Sequence, residues 1–383
     1  MSEKIKRVFI SGIPVTACNL KCEYCYITQR ERCSGKLPIM QYSPEQIGNA
    51  MTQKRLGGVC YISICGNGET LLPTDTFPIV RALLANGHFI NITTNGTLTR
   101  RFKDFLSLPA EHRERLHFAF SFHYTELKKR KLIEKFFENI RLIKSAGCSF
   151  LVQLNLYDGY IPYIDEIKRV CLEHVDAYPQ IVVTRDEISN NDITLLTSLT
   201  KEQYQQIGEV FQSPLFEFTM KNFMVKRHEF CYAGSWSGVL NLANGILQPC
   251  HLSKTRQNIF ENAEEPIDFD KPIGHFCHAP YCSNSSHYLS LGTIPSLITP
   301  SYGELRNRKE AGWYSPRMAK FLNGKLYNNN PEYTQEEKKR FSQAERISVM
   351  EWLGNKVQPL IPKRIKKTFQ YCRDVMKKRI PWL

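Results

Sequence analysis

The stretch VFISGIPVTACNLKCEYC, residues 8–25, decides how the chain is read. Its first half is dense in branched and aromatic apolar residues and reads as a strand, Val8–Thr16. Directly after it stand three thiols, Cys18, Cys22 and Cys25, spaced C-x3-C-x2-C. One short loop at a strand end can present three thiolates to one metal centre. If that centre is a four-iron cube, one iron is left open to a small chelating molecule. The other reading is zinc, which usually takes four ligands in C-x2–4-C pairs.

The alternation continues downstream. Val59–Cys65, His88–Thr94, Leu116–His123, Ser149–Leu156 and Gln180–Thr184 read as further strands, with helical spacing between them. Ser43-Pro44-Glu45-Gln46 opens one helix, with serine at the N-cap, proline at N1 and glutamine placed to close a capping box. Another helix is expected from about Glu126 to Ala146, stopping at Gly147. Six β–α units in series predict parallel strands with crossover helices. Six fall short of a closed eight-fold barrel. The predicted fold class is α/β: a partial (β/α)6 barrel with ligands at the C-terminal strand ends, then a small cysteine-rich α+β domain and a basic helical tail. The expected domains are 1–190 for the barrel, 191–225 for a connector, 226–290 for the cysteine-rich part and 291–383 for the basic, partly helical region.

Composition sets bounds on this reading. The chain has 383 residues, 42% hydrophobic and 23% charged, which suits a globular protein of more than one domain. No apolar run reaches the ~18 residues of a membrane-spanning helix, and the N-terminus reads as a strand rather than a signal peptide. An odd total of 13 cysteines with no export signal argues for metal or cluster ligation in a reducing cytoplasm, not for a disulfide framework. The net charge of +14 is concentrated near the C-terminal end. From Lys356 onward, lysines and arginines face a single acid, Asp374. Ile361, Ile365, Phe369, Cys372, Val375 and Met376 recur there at helical spacing, which predicts a basic amphipathic helix. Two readings fit it: a packed helix with a solvated basic face, or a surface for an anionic membrane or polyanionic substrate. No nucleic-acid motif accompanies it.

CNLKCEYC, with Tyr24 just before the third cysteine, resembles the signature of the radical S-adenosylmethionine (radical SAM) enzymes. The resemblance implies a [4Fe–4S] cluster on Cys18, Cys22 and Cys25 whose open iron takes the amine and carboxylate of SAM. An electron from a reductant such as flavodoxin or ferredoxin then cleaves the sulfonium, and the 5′-deoxyadenosyl radical removes a hydrogen from the substrate. Gly66-Asn67-Gly68-Glu69 is similar to the family's Gly-Gly-Glu motif, whose carboxylate meets the SAM amine while its glycines admit close backbone approach. Asn67 is a departure from that pattern. Thr94 and Asn95 after strand three, and Ser121 after strand four, stand where the family contacts SAM. Gln153 and Asn155 share one face of strand five by period two. The expected cofactor-binding set is Tyr24, Gly66, Asn67, Gly68, Glu69, Thr94, Asn95, Ser121 and Asn155. His123 on its own is more ordinary as a structural histidine. No general acid or base is assigned; His123, Tyr157, Asp158 and Glu187 all stand near strand ends.

Cys231 and Cys250 flank Gly245 in a hairpin-like stretch, and Cys277-x4-Cys282 follows. This resembles the opening of the SPASM and twitch auxiliary domains of the same superfamily, and implies four thiolates around one auxiliary [4Fe–4S] cluster. A full SPASM pattern needs further cysteines, and only Cys372 remains downstream. Four cysteines also suit zinc. His251, His275, His278 and His287 crowd the region as ligand or supporting residues. Cys33, Cys60, Cys65, Cys148 and Cys171 lack metal spacing and mostly read as small buried residues, with Cys65 facing the proposed site.

The expected function is a radical SAM oxidoreductase or maturase-type enzyme acting on a peptide or glycan-related molecule in the cytoplasm, with peripheral contact at the inner membrane surface through the tail. A cluster loop that starts at residue 18 leaves no room ahead of it for a leader-peptide-binding domain, which weakens the peptide arm. The alternative is a non-catalytic zinc or iron–sulfur binding protein anchored by its basic tail.

Overall fold

The computed structural model describes residues 3–31, 33–188, 194–275 and 277–341. Two compact units divide the chain, Met1–Glu332 and Tyr333–Leu383. The expected amphipathic helix of 356–383, with Cys372, lies outside the described residues.

Six strands form the first part of the sheet: β1 (Arg7–Ile13), β2 (Cys60–Gly66), β3 (Phe89–Thr94), β4 (Leu116–Ser121), β5 (Ser149–Leu156) and β6 (Gln180–Val183). Consecutive strands are neighbours and every pair is parallel. Helices cross between them, as the β–α alternation predicts. The first long one, Pro44–Ala50, has the expected cap: the Gln46 amide donates to Ser43 Oγ at 3.2 Å, and the Ser43 amide donates to Gln46 Oε1 at 2.8 Å. β1 stops three residues earlier than expected. Pro14 has no N–H to offer β2, and the Val15 amide turns back to the Ile13 carbonyl at 2.7 Å.

One expected helix is two. Tyr124–Lys129 and Ile133–Ser145 are separated by Lys131 in the left-handed region at φ 56°. The Leu132 amide folds back onto the Leu127 carbonyl at 2.8 Å and closes the first helix. Gly147, at φ 83°, ends the second as expected.

Residues beyond the barrel extend its sheet. A short antiparallel pair, β7 (Arg185–Asp186) and β8 (Thr194–Leu195), follows β6. Then β9 (Ser237–Asn241) pairs in parallel with β1, and β10 (Ile246–Gln248) and β11 (Gln257–Asn258) continue outward antiparallel. The result is one nine-stranded sheet in the order β11-β10-β9-β1-β2-β3-β4-β5-β6. The hairpin between Cys231 and Cys250 therefore shares a sheet with the barrel. The connector holds two helices, Lys201–Glu209 and Pro214–Asn222.

The two faces of the barrel strands differ in chemistry. Outward-facing Phe118 and Phe120 pack against Phe102, Phe105 and Phe136 of the surrounding helices. The inward register instead aligns Ser63, Asn91, His117 and Ser149 in one layer across β2 to β5. Strands buried on both faces are usually apolar throughout, so a polar interior points to ligand binding. Segment 302–328 lies beneath the N-terminal strand ends. There the Phe150 amide donates to the Trp313 carbonyl at 2.9 Å, and the Trp313 indole donates to the Val175 carbonyl at 2.9 Å.

Candidate active site

A cavity of about 380 Å³ opens at the C-terminal strand ends. Cys18, Cys22 and Cys25 line it, and so does every residue of the expected cofactor set: Tyr24, Gly66, Asn67, Gly68, Glu69, Thr94, Asn95, Ser121 and Asn155. Among the described residues every cysteine is free. Burial pushes the Cys18 thiol up to about 11 and drives Cys22 higher, with the neighbouring thiols adding to the effect on both. The Cys18 sulfur accepts from the Leu20 amide at 3.4 Å and from Asn95 Nδ2 at 3.8 Å. No group of three or more His, Cys, Asp or Glu side chains among the described residues is arranged around a single metal ion.

Glu69 is the one buried carboxylate of the cavity wall, 2% exposed. Thr94 Oγ1 donates to it at 2.6 Å, the Asn95 amide at 2.8 Å and the Leu71 amide at 3.0 Å. Among the described residues no basic side chain pairs with it. Burial raises its pKa and outweighs those three donors. An ammonium group placed there would supply the missing charge.

The glycines beside Glu69 serve a different purpose from the one the motif suggests. Neither has positive φ. A Cβ on Gly68 would stand 2.1 Å from the Ala17 carbonyl oxygen, and one on Gly66 would stand 2.5 Å from Val15 Cγ1. They let this turn lie directly on the cysteine loop. The Gly68 amide donates to the Val15 carbonyl at 2.6 Å. The side chain of Asn95 also reaches that loop, donating to Asn19 Oδ1 at 2.8 Å.

Tyr24 is buried among aromatic rings, 4.6 Å from the Tyr157 centroid and 5.8 Å from that of Tyr160. Its hydroxyl lies 2.6 Å from His123 Nδ1 and 2.9 Å from the Tyr160 hydroxyl. Burial pushes His123 down to about 4, so its imidazole is neutral and Nδ1 is assigned as the acceptor from Tyr24. Gln153 Nε2 donates to Ser121 Oγ at 3.2 Å. Of the four acid–base candidates, His123 and Glu187 line the cavity. Glu187 is held by Arg30 at 2.5 Å and Arg185 at 3.4 Å. Asp158 instead braces a loop, accepting from the Ser198 amide at 2.7 Å and its hydroxyl at 2.6 Å.

The second cysteine group stands beside the same cavity. Cys231 exchanges backbone hydrogen bonds with Gly274, both at 2.9 Å. Burial raises the Cys282 thiol, and Cys231, Cys250 and Cys277 act on it in the same direction. Tyr281, Ser283 and His287, around Cys282, form part of the cavity wall. Of the remaining cysteines, Cys60, Cys148 and Cys171 are buried, whereas Cys65 and the exposed Cys33 border the cavity. Arg306, Tyr302 and Tyr26 also line it; no spacing or motif in the sequence marks them.

Residues 13–186 match the model of the Radical SAM superfamily. A stretch of 88 residues, 23% of this chain, is 38% identical to 7-carboxy-7-deazaguanine synthase of Rhodospirillum rubrum, and spans 34% of that protein, about a third of its length. Among solved structures, Streptococcus suis SuiB bound to S-adenosylmethionine aligns with TM-score 0.47 and 14% identity over 68% of this chain and 64% of that one. Native anSMEcpe with bound AdoMet aligns with TM-score 0.49 and 16% identity over 89% of this chain and 98% of that one. Residues 13–186 thus form a radical SAM superfamily domain.

Proposed function

We propose that Cys18, Cys22 and Cys25 hold a [4Fe–4S] cluster that binds SAM, and that the chain directs the resulting radical at a hydrogen of a peptide or glycan-related substrate in the same cavity. When bound, the cluster supplies the electron that breaks the sulfonium bond of SAM, drawn from a reductant such as flavodoxin or ferredoxin. The observation that carries this reading is Glu69, a buried carboxylate with three donors, no cation paired with it among the described residues, and three free thiols in the same cavity.

In this reading Glu69 takes the SAM amine, and Thr94 with the Asn95 amide holds the carboxylate in orientation. Gly66 and Gly68 allow that turn to rest on the cluster loop. Tyr24, Asn67, Ser121 and Asn155 line the space left for the rest of the cofactor. His123, neutral and bonded through Nδ1 to Tyr24, holds the Tyr24 hydroxyl in place, whereas two arginines engage Glu187.

Residues 226–290 are assigned as the auxiliary domain, with Cys231, Cys250, Cys277 and Cys282 holding a second [4Fe–4S] cluster. The free state of these four thiols supports that assignment. So does the position of Tyr281 and Ser283 in the cavity wall, which would seat a substrate between the two cysteine groups. Adding SAM to the reduced, cluster-loaded protein is expected to change the electron paramagnetic resonance signal of the first cluster. An unaltered signal from a protein with intact clusters would reject SAM binding at this site.

A further inference from the structure

We propose that Arg306 receives an anionic oxygen group, a carboxylate or a phosphate, of the molecule whose hydrogen is removed; this rests on the function proposed above. Arg306 ends the short helix Tyr302–Arg306, whose start is set by a capping box between Ser301 and Glu304. It lines the cavity yet is only 3% exposed. Its guanidinium carbon lies 3.7 Å over the Tyr302 ring, which holds the plane of the fork. Among the described residues no carboxylate stands within ion-pair distance of it, and Nη1 has no hydrogen-bond partner. The other arginine of the cavity, Arg185, is paired with Glu187. A guanidinium this buried and unpaired is costly to keep in a fold. Its planar donor set matches a carboxylate or a phosphate in two parallel hydrogen bonds.

The surroundings allow one anionic group and supply no competing charge. His117, on β4, and His287, in the cavity wall, are both kept neutral by burial, and the positive charge of Arg306 reinforces this. The Tyr314 hydroxyl and both ring nitrogens of His117 are buried without hydrogen-bond partners among the described residues. The His117 and Tyr314 rings lie 4.8 Å apart, and Arg306 acts electrostatically on both. Arg306 is thus the cation whose charge these neutral groups feel. Glu69 offers the same cavity a buried anion in need of a cation. SAM itself carries a carboxylate, so the test must separate it from the substrate.

The full-length, cluster-loaded protein is titrated with sodium phosphate and with sodium acetate at constant ionic strength held by sodium chloride, and the thermal midpoint is read. A saturable rise is expected with at least one of the two anions, and the stronger identifies the group. Arg306→Gln should abolish the rise, and Arg306→Lys, which keeps the charge without the fork, should weaken the apparent Kd about fivefold or more. In chloride alone, Arg306→Gln should melt at or above the parent, because an unpaired buried charge has been removed; this also shows that the variant folds. Arg169→Gln, on an exposed helix face, should respond like the parent. The rise should persist with SAM at saturation. No saturable rise in the parent, an equal rise in Arg306→Gln, or its loss when SAM is present would overturn the proposal. The titration needs no turnover, so it fails or succeeds independently of SAM cleavage.

Discussion

The amide of Glu69 donates to the carbonyl of Ala17 at 3.0 Å, one residue before Cys18. The carboxylate proposed for the SAM amine and the first thiol proposed for the cluster therefore belong to one rigid joint. Gly68 makes it possible, because any side chain there would meet the Ala17 oxygen. Two neighbouring substitutions should fail in different ways.

Gly68→Ala is expected to displace the cysteine loop, to cost about 1–3 kcal/mol of stability, and to lower iron at the first cluster. Glu69→Gln keeps the side-chain volume and is expected to retain that iron. It should weaken SAM binding roughly tenfold or more, the loss of a charge-assisted hydrogen bond. Iron content and equilibrium dialysis with SAM distinguish the two. Glu69→Gln binding SAM as tightly as the parent would contradict the role given to Glu69.

Metal counting separates the two cysteine groups. The reconstituted chain should carry about eight irons, and Cys22→Ala and Cys250→Ala about four each. Four irons with one zinc in the parent would instead make the second group a zinc site.

Buried histidines set a pH dependence. His88 is fully buried; its Nδ1 accepts from the Cys60 amide at 3.2 Å and its Nε2 donates to the Met51 carbonyl at 2.7 Å. Burial pushes it down to about 4, and pushes His117 to about 3. Both are neutral in the fold, while in the unfolded chain they titrate near 6.5. Between pH 6.5 and about 4 the unfolded chain binds more protons, so stability falls as pH falls, by about 1.4 kcal/mol per pH unit for each histidine. That contribution is complete above pH 6.5. Urea midpoints at pH 7.5, 6.0 and 5.0 should show the decline, and His88→Gln should reduce its slope by about one histidine's share. An equal slope in the variant would contradict the assignment.

Trp313 anchors the floor of the barrel with 1% exposure. Trp313→Ala is expected to cost about 3–5 kcal/mol, measurable by urea unfolding of the metal-free protein. A loss below ~1 kcal/mol would mean that segment 302–328 contributes little to closing the barrel.

Much of this was legible from local sequence. The β-rich runs locate all six barrel strands because each is short, dense in branched residues and separated by a helical stretch. The Ser43–Gln46 box locates a helix start because its chemistry lies within four residues. Other features depend on distant partners. The pairing of β9 with β1 joins Val8 to Ser237 and follows from no local pattern. Lys131 breaks a helix without glycine or proline. Gly66 and Gly68 were legible as a motif, but their physical reason, contact with Val15 and Ala17, appears only when the two turns meet. Arg306 has no signal in the sequence at all; its meaning comes from the absence of an acid paired with it among the described residues.

Reductive cleavage of SAM in this cavity is what the proposed function requires. The most direct measurement is 5′-deoxyadenosine formed by the reduced, cluster-loaded protein given SAM. The parent should release it and Cys22→Ala should not; no 5′-deoxyadenosine from a parent with both clusters intact would contradict the proposed function.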